Sequence, residues 1–339
     1  MSLSRSLSKI GSLLSAAGLL TSAAFANSGA ELSAYNPLIN GDMRINQVNA
    51  GTLSHNGTVR QVPVDMMYVD AYASSWGTCT GGSSTQVTLV TPLVTPGATF
   101  DTALRITPHS SWAHAYIYQN VEDCRIFQNQ TVTVSFYARA ASNWTINCAG
   151  RITQACDNGG TGDVENMDNT LIGKVIGTNW SRFTYTVTLG SMAGKTLGPN
   201  NMLSVNLIQG SDMTTGAPAW LEFTGWKMEI GSVATPFVQR NIGVERVLCM
   251  RYFQYLPSMF QCGQAYGTGT DGFTVNFAFP VPMRVAPSSS VANGTDGGSL
   301  AQLLVTHITP SKCTFEIRNN GGGGNSKWYT WDQTFNARL

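Results

Sequence analysis

Charge is scarce in this chain. Of 339 residues, 20 are Lys or Arg and 19 are Asp or Glu, which makes 12% charged, about half the usual share. The net charge is +1, so no basic field exists to hold nucleic acid or an anionic membrane, and neither is an expected partner. What replaces charge is hydroxyl, amide and 35 glycines. Such a surface suits a turn-rich β protein. It also suits a chain packed against copies of itself, where a lone charge is costly to bury.

The signatures of common chemistries are missing too. The seven cysteines (Cys79, Cys124, Cys148, Cys156, Cys249, Cys262, Cys313) include no CxxC pair, which excludes a zinc ribbon or a thioredoxin-like motif. They read as buried free thiols. Cys148 and Cys156, flanking a predicted hairpin, are the one pair worth testing as a bridge. His55, His109, His114 and His307 have no HxxxH or HExxH spacing. GGGGNSKW at Gly321 lacks the Gly-Lys-Ser/Thr order of a phosphate loop, and no GxSxG elbow occurs. Asp65, Asp70, Glu122, Asp123 and Asp163 offer carboxylates, but no two stand out as the acid and base that glycoside hydrolysis needs. The run from Asp163 to Asp168 has oxygens for a hard cation without EF-hand spacing. Not an enzyme is therefore the expectation: no catalytic residue, no cofactor, and no metal site with recognisable spacing.

The first thirty residues carry two patterns. Arg5 and Lys9, an apolar stretch from Ile10 to Leu20, and Ala24-Phe25-Ala26 fit a secretory signal. Beneath it, Leu3, Leu7, Ile10, Leu14, Ala17, Thr21 and Ala24 keep the alternating four-three spacing of a coiled-coil seam. Gly11 and Gly18 each cost about 1 kcal/mol of helix propensity relative to Ala, so such a helix needs partners. We read residues 1–30 as a helical docking or oligomerisation segment, with the cleaved signal as the alternative. The stretch is too short and too rich in serine for a membrane span.

Beyond Asn36 the dominant period is two. TVTVSFYARA puts Val132, Val134, Phe136 and Ala138 on one face, and RFTYTVTL puts Phe183, Tyr185, Val187 and Leu189 on one face. MLSVNLI places Leu203, Val205 and Leu207 together. WAHAYIY sets Ala113, Ala115 and Ile117 against Trp112, His114, Tyr116 and Tyr118. Turn-forming runs separate these segments. Many short alternating strands predict a mainly β protein: a jelly roll or β-sandwich over residues 31–240 and a smaller β domain over 257–339. NIGVERVLCMRYF breaks the pattern. It predicts one short helix over 241–256 with Val244, Val247, Leu248 and Arg251 near one face, stopped by Pro257.

Rings with nearby polar groups are how proteins hold sugars. Trp112, Tyr116 and Tyr118 are thus glycan-binding candidates, with Trp144 at a predicted strand end as another. The competing reading puts those rings in the core and Ala113, Ala115 and Ile117 against a neighbouring subunit. Alternation alone leaves both open.

A collinear set of segments resembles a known family. The set is NPLINGDMRINQ (36–47), Val121-Glu122-Asp123, QTVTVSFYARA, NWSRFTYTVTLGSMAGKTLG, MEIGSVATPFVQRNIGVERVLCMRYF and FAFPVPMRVAPS. It is similar to bacteriophage and prophage structural proteins of the tail-fibre or minor-virion kind, whose larger domain resembles the jelly roll of carbohydrate-binding modules. The resemblance spans most of residues 36–290. It implies a non-enzymatic virion component made in the host bacterial cytoplasm: a tail fibre, head fibre or decoration. It further implies a homotrimer that meets other virion proteins through its N-terminal segment and has host-surface carbohydrate as a ligand. Two stretches depart from the family pattern. The first thirty residues are atypical. In MYVDAYASSW (67–76) the expected aromatic is weak, so no ligand role is carried over to it. A secreted bacterial carbohydrate-binding or adhesin-like protein is the alternative, and a glycan-degrading enzyme with two carboxylates in one groove is the third reading.

Overall fold

The computed structural model describes residues 35–47, 51–74, 76–157, 159, 162–211, 217–263, 272–297, 300–319 and 327–339. The seam formed by Leu3, Leu7, Ile10, Leu14 and Ala17 lies outside the described residues.

Strands alternate their side chains between two faces, and here one face of each long run is buried. The strands of the first domain are β1 (Leu53–Ser54), β2 (Arg60–Val64), β3 (Met67–Tyr72), β4 (Ser83–Thr95), β5 (Ala98–Thr107), β6 (His114–Glu122) and β7 (Thr131–Ala140). They continue with β8 (Trp144–Thr145), β9 (Gly150–Ala155), β10 (Val164–Asp168), β11 (Val175–Ile176), β12 (Ser181–Thr188), β13 (Met202–Ser211) and β14 (Leu221–Ile230). One sheet runs β1-β4-β5-β14-β7-β12 and the other β10-β9-β13-β6-β3-β2, with β11-β8 as a small pair. The long pairings are antiparallel, and the two sheets form a β-sandwich of jelly-roll type. Val132, Val134, Phe136, Phe183, Val187 and Phe223 from the first sheet meet Val69, Ala115, Ile117, Ile152, Leu203 and Val205 from the second in one core. Phe136 stacks on Phe183 at 5.7 Å. The Tyr185 hydroxyl crosses the sandwich to donate to Asn206 O at 2.5 Å.

The segment 36–47 has no strand of its own, yet it is fastened along β14. Asn36 Oδ1 accepts from Met228 N at 3.0 Å, and Gly41 O accepts from Trp226 N at 2.8 Å. Gly41 must be glycine, because a Cβ there would lie 2.1 Å from Trp226 O.

A single α-helix among the described residues, α1 (Ile242–Met250), joins the domains. It is shorter than the expected 241–256. Arg251 N already bonds Val247 O, and β15 (Phe253–Gly263) pairs from its first residue, so Pro257 does not stop the helix. Instead Pro257 lies in the bulge between Leu256 and Met259, where the ladder asks for no N–H donor. The buried face is not the one that carries Val244 and Val247. Val244 and Val247 are exposed, while Glu245 and Cys249 are buried. Arg240 Nη1 holds the Glu245 carboxylate at 3.0 Å, and Asn40 N donates to it, which makes its burial tolerable.

The second domain adds β16 (Gly272–Ala278), β17 (Ser288–Gly297), β18 (Leu300–Thr306), β19 (Lys312–Asn319) and β20 (Lys327–Asn336). They form two three-stranded sheets, β15-β20-β17 and β16-β19-β18, around Phe279, Met283, Cys313, Phe315, Trp331 and Phe335. Its tail returns to the sandwich: the Tyr68 hydroxyl donates to Leu339 O at 2.7 Å. At the same junction Glu122 accepts from Arg251 Nε at 2.9 Å and from the Tyr252 hydroxyl at 2.6 Å.

Cys148 and Cys156 are not bridged to each other. They sit beyond opposite ends of the six-residue β9, roughly 25 Å of extended chain apart, far outside bridging range. The run from Asp163 to Asp168 is not a cation loop. Five of its six residues form β10, Asp163 accepts from Cys156 N, and Asp168 accepts from Thr170 N and Thr186 N.

Candidate functional site

The outward face of the β3–β6 pair carries an unusual row of rings. The register sets Tyr68 opposite Tyr118, Asp70 opposite Tyr116 and Tyr72 opposite His114. Period two therefore lines up Tyr68, Asp70 and Tyr72 beside Tyr118, Tyr116 and His114, while Val69, Ala71, Ala115 and Ile117 point into the core. Across β13, Asn206 lies opposite Tyr118 and Ser204 opposite Asn120. The result is a cleft of about 320 Å³ on the sheet's outer face.

Trp76 completes it. A turn after β3 carries it, with Trp76 N bonded to Ala73 O and Ala73 N to Gly77 O. The Trp76 backbone adopts φ +59°, which is costly for a bulky residue and is the kind of strain that clusters at binding sites. Its indole is 59% exposed and lies flat on His114, with centroids 4.3 Å apart and planes 10° apart. Tyr72 meets Trp76 edge-on at 5.5 Å and Tyr116 edge-on at 6.0 Å. Trp76, Tyr72 and Tyr116 thus form an open aromatic shelf over a polar floor.

The floor is well ordered. Asp70 accepts from Arg60 Nε and Nη2, each at 2.9 Å, and from the Tyr118 hydroxyl at 3.0 Å. Tyr118 stacks on Tyr68 at 5.1 Å. Burial pushes the Tyr72 and Tyr116 phenols above their ordinary value, and that of Tyr118 further, with the Asp70 carboxylate adding to it. All three are therefore protonated donors. Two buried polar atoms have no partner: Asn120 Oδ1 and Arg151 Nε. Both residues line the cleft.

Of the four rings singled out from the sequence, Tyr116 and Tyr118 stand in this cleft, and Trp112 and Trp144 do not. Trp112 precedes β6 rather than belonging to it. It turns inward, fully buried, with Nε1 donating to Gly81 O at 2.8 Å and the ring edge-on to His55 at 5.0 Å. Trp144 is buried in the pairing of β8 with β11. Neither can stack on a ligand. Tyr72 and Trp76 were missed because MYVDAYASSW carried no family pattern. The signal was its Tyr68-Asp70-Tyr72 alternation, which matches that of His114-Tyr116-Tyr118.

Asp70 is the one side-chain carboxylate lining the cleft. Hydrolysis of a glycosidic bond needs two, about 5.5 or 6.5–9.5 Å apart. Glu122, Glu222 and Glu229 are engaged elsewhere, each bound to a cation. Among the described residues no group of three or more His, Cys, Asp or Glu could hold a metal ion.

No protein-family model and no curated protein matches the sequence. Solved structures similar to parts of it include the enzymatically active domain of bacteriophage CBA120 tailspike protein 4. That match has 11% identity, covers 58% of this chain and 21% of the tailspike chain, and has a TM-score of 0.31. A family 4 carbohydrate-binding module matches at 17% identity over 57% of this chain and 98% of its own, with a TM-score of 0.30. The family 11 carbohydrate-binding module of Clostridium thermocellum, in complex with a mixed-linked tetrasaccharide, matches at 9% identity over 53% of this chain and 96% of its own, with a TM-score of 0.28. The chain spans about a fifth of the tailspike domain it matches. At TM-scores of this size the superpositions add nothing to the functional reading, which rests on the cleft itself.

Proposed function

We propose that this chain is a non-catalytic glycan-binding protein, and that the Trp76–Tyr72–Tyr116 shelf is where sugar rings stack. The observation that carries this reading is an exposed indole held flat on His114 at a cleft lined by Tyr72, Tyr116 and Asp70. Sugars offer an apolar face to rings and hydroxyls to polar groups, and the cleft supplies both. In the same reading the protein is a structural component of a bacteriophage particle, a tail fibre, head fibre or decoration, assembled as a homotrimer and displaying the cleft towards the host surface. The collinear segments of residues 36–290 and the heptad-spaced start support this. The Ala24-Phe25-Ala26 cleavage pattern instead favours a secreted bacterial protein with the same cleft.

Titration calorimetry against a panel of bacterial surface oligosaccharides tests the binding. Trp76→Ala is expected to weaken the best ligand about tenfold or more, roughly the contribution of one stacked ring, with the melting temperature unchanged. Binding that survives the loss of both Trp76 and Tyr116 would sink the proposal. Finding the full-length chain in purified phage particles would support the virion reading, and a secreted chain shortened by about 26 residues would replace it.

A further inference from the structure

A second cavity adjoins the aromatic cleft. It measures about 480 Å³ and lies between the domains, with Arg60, Tyr68 and Leu339 on one side and Ser288, Asn336 and Arg338 on the other. Arg60 and Leu339 line both cavities, so the two are consecutive parts of one groove.

Formal charge in this second cavity balances, Arg60 against Asp70 and Arg338 against the Leu339 carboxylate, but the second pair is not joined. Arg60 is committed to Asp70 through Nε and Nη2, and Nη1 is left over. Arg338 has no ion pair among the described residues. Its guanidinium is stacked on Phe253, 4.1 Å from the ring centroid, and its Nε donates to the neutral Asn336 Oδ1 at 3.1 Å. The carboxylate that acts on it, Asp65, gives its oxygens to Gln47 N and Gln47 Nε2. The hydrogen bonds that Leu339 O accepts come from Tyr68 and Asn120, not from a guanidinium. Burial presses the Arg338 guanidinium below its ordinary value, against the pull of the Asp65 carboxylate. Desolvating a cation without an anion is expensive, and planar guanidinium suits a carboxylate.

We infer that the interdomain cavity takes the carboxylate of an acidic sugar unit, the next unit of the glycan whose neutral rings lie on the Trp76 shelf. This rests on the glycan-binding reading and adds a substrate class to it: an acidic polysaccharide read by both domains at once.

The test uses the full chain and calorimetry with four- to six-unit oligosaccharides of polygalacturonate, alginate, hyaluronan and polysialic acid. Each is paired with its carboxyl-reduced form, and a glycerol-phosphate oligomer is added. The expected result is at least one acidic oligosaccharide bound ten times or more tightly than its reduced form. Arg338→Gln and Ser288→Asp should both erase that preference. Ser288 is exposed on the cavity wall, so its variant adds a carboxylate without touching the core and keeps the test alive if Arg338→Gln fails to fold. Trp76→Ala should weaken acidic and reduced forms alike. Equal binding of both forms, with Trp76 still required, would overturn the acidic assignment and leave the glycan reading standing. Dependence on Arg338 for the glycerol-phosphate oligomer alone would make the anion a phosphate and overturn the carboxylate. No binding by any of them, reduced forms included, would overturn both.

Discussion

Trp76 and Trp112 show how a residue's role is decided by its immediate setting. Both stand beside aromatic and histidine side chains, and both look alike in the sequence as rings at a strand boundary. Trp112 has Gly82 beneath it, where a Cβ would approach the indole to 2.5 Å, and so it sinks into the core. Trp76 sits on a turn with nothing above it. Sequence alternation shows which side of a strand a residue takes, but not whether a loop residue folds in or out. That is why Tyr116 was legible and Trp76 was not. His55 carries a prediction at this scale. It is fully buried, with Nδ1 donating to Val59 O at 3.2 Å and Nε2 3.1 Å from Ser84 Oγ. Burial holds it below its ordinary 6.5. The unfolded chain therefore takes up a proton that the folded chain refuses, and the stability His55 confers is full above pH 6.5 and is lost as pH falls through 6.5. The slope is at most about 1.4 kcal/mol per pH unit. In thermal melts, the advantage of wild type over His55→Gln should shrink between pH 7 and pH 5. A constant gap would contradict the assignment.

The elements themselves were more legible than their ends. The long strands β7 and β12 follow directly from alternation with threonine on the face away from the core, where Thr133 meets Thr186 across the ladder at 2.9 Å, and β13 from the alternation of Leu203, Val205 and Leu207. The helix was visible as a change of period, but its buried side was not. Hydrophobic spacing pointed to Val244 and Val247, whereas burial goes to Glu245, because Arg240, five residues before it, and the distant Asn40 N–H neutralise it. The Asn40 partner, 205 residues away, leaves no local trace in a sequence. Urea unfolding should show the inversion. Glu245→Ala is expected to cost about 3 kcal/mol, since it leaves the Arg240 guanidinium without its carboxylate. Val247→Ala should stay within about 0.5 kcal/mol, as surface changes do. If Val247 proves the more costly, α1 packs against something on its outer side.

At the scale of the whole molecule, side-chain bonds fasten the sandwich to the second domain. Glu122 holds Arg251 and Tyr252 across the junction, Gln47 Nε2 donates to Phe253 O at 2.7 Å, and Arg284 reaches Asn200 Oδ1 at 3.1 Å. The expectation of two β domains rested on the single change of period. Their meeting at the cleft was not readable, because Leu339 and Tyr68 are 271 residues apart. If the heptad-spaced start drives assembly, native mass spectrometry of the full chain should give a trimer, and removal of residues 1–30 should give a monomer with its glycan affinity per site unchanged. A monomeric full-length chain would leave that seam without a role.

The geometry of Trp76 has an optical consequence. Among the described tryptophans it is the one whose indole stands largely in solvent, whereas Trp112, Trp226 and Trp331 are sealed in the interior. Beside the half-buried Trp180 and Trp220, this ring should therefore supply the largest share of the water-relaxed, long-wavelength emission from the described indoles and of what a small collisional quencher can reach. A molecule seated on the shelf would cover it, turning the emission blue and shutting the quencher out. The protein thus reports on its own occupancy, and unlabelled candidate ligands can be screened by light alone.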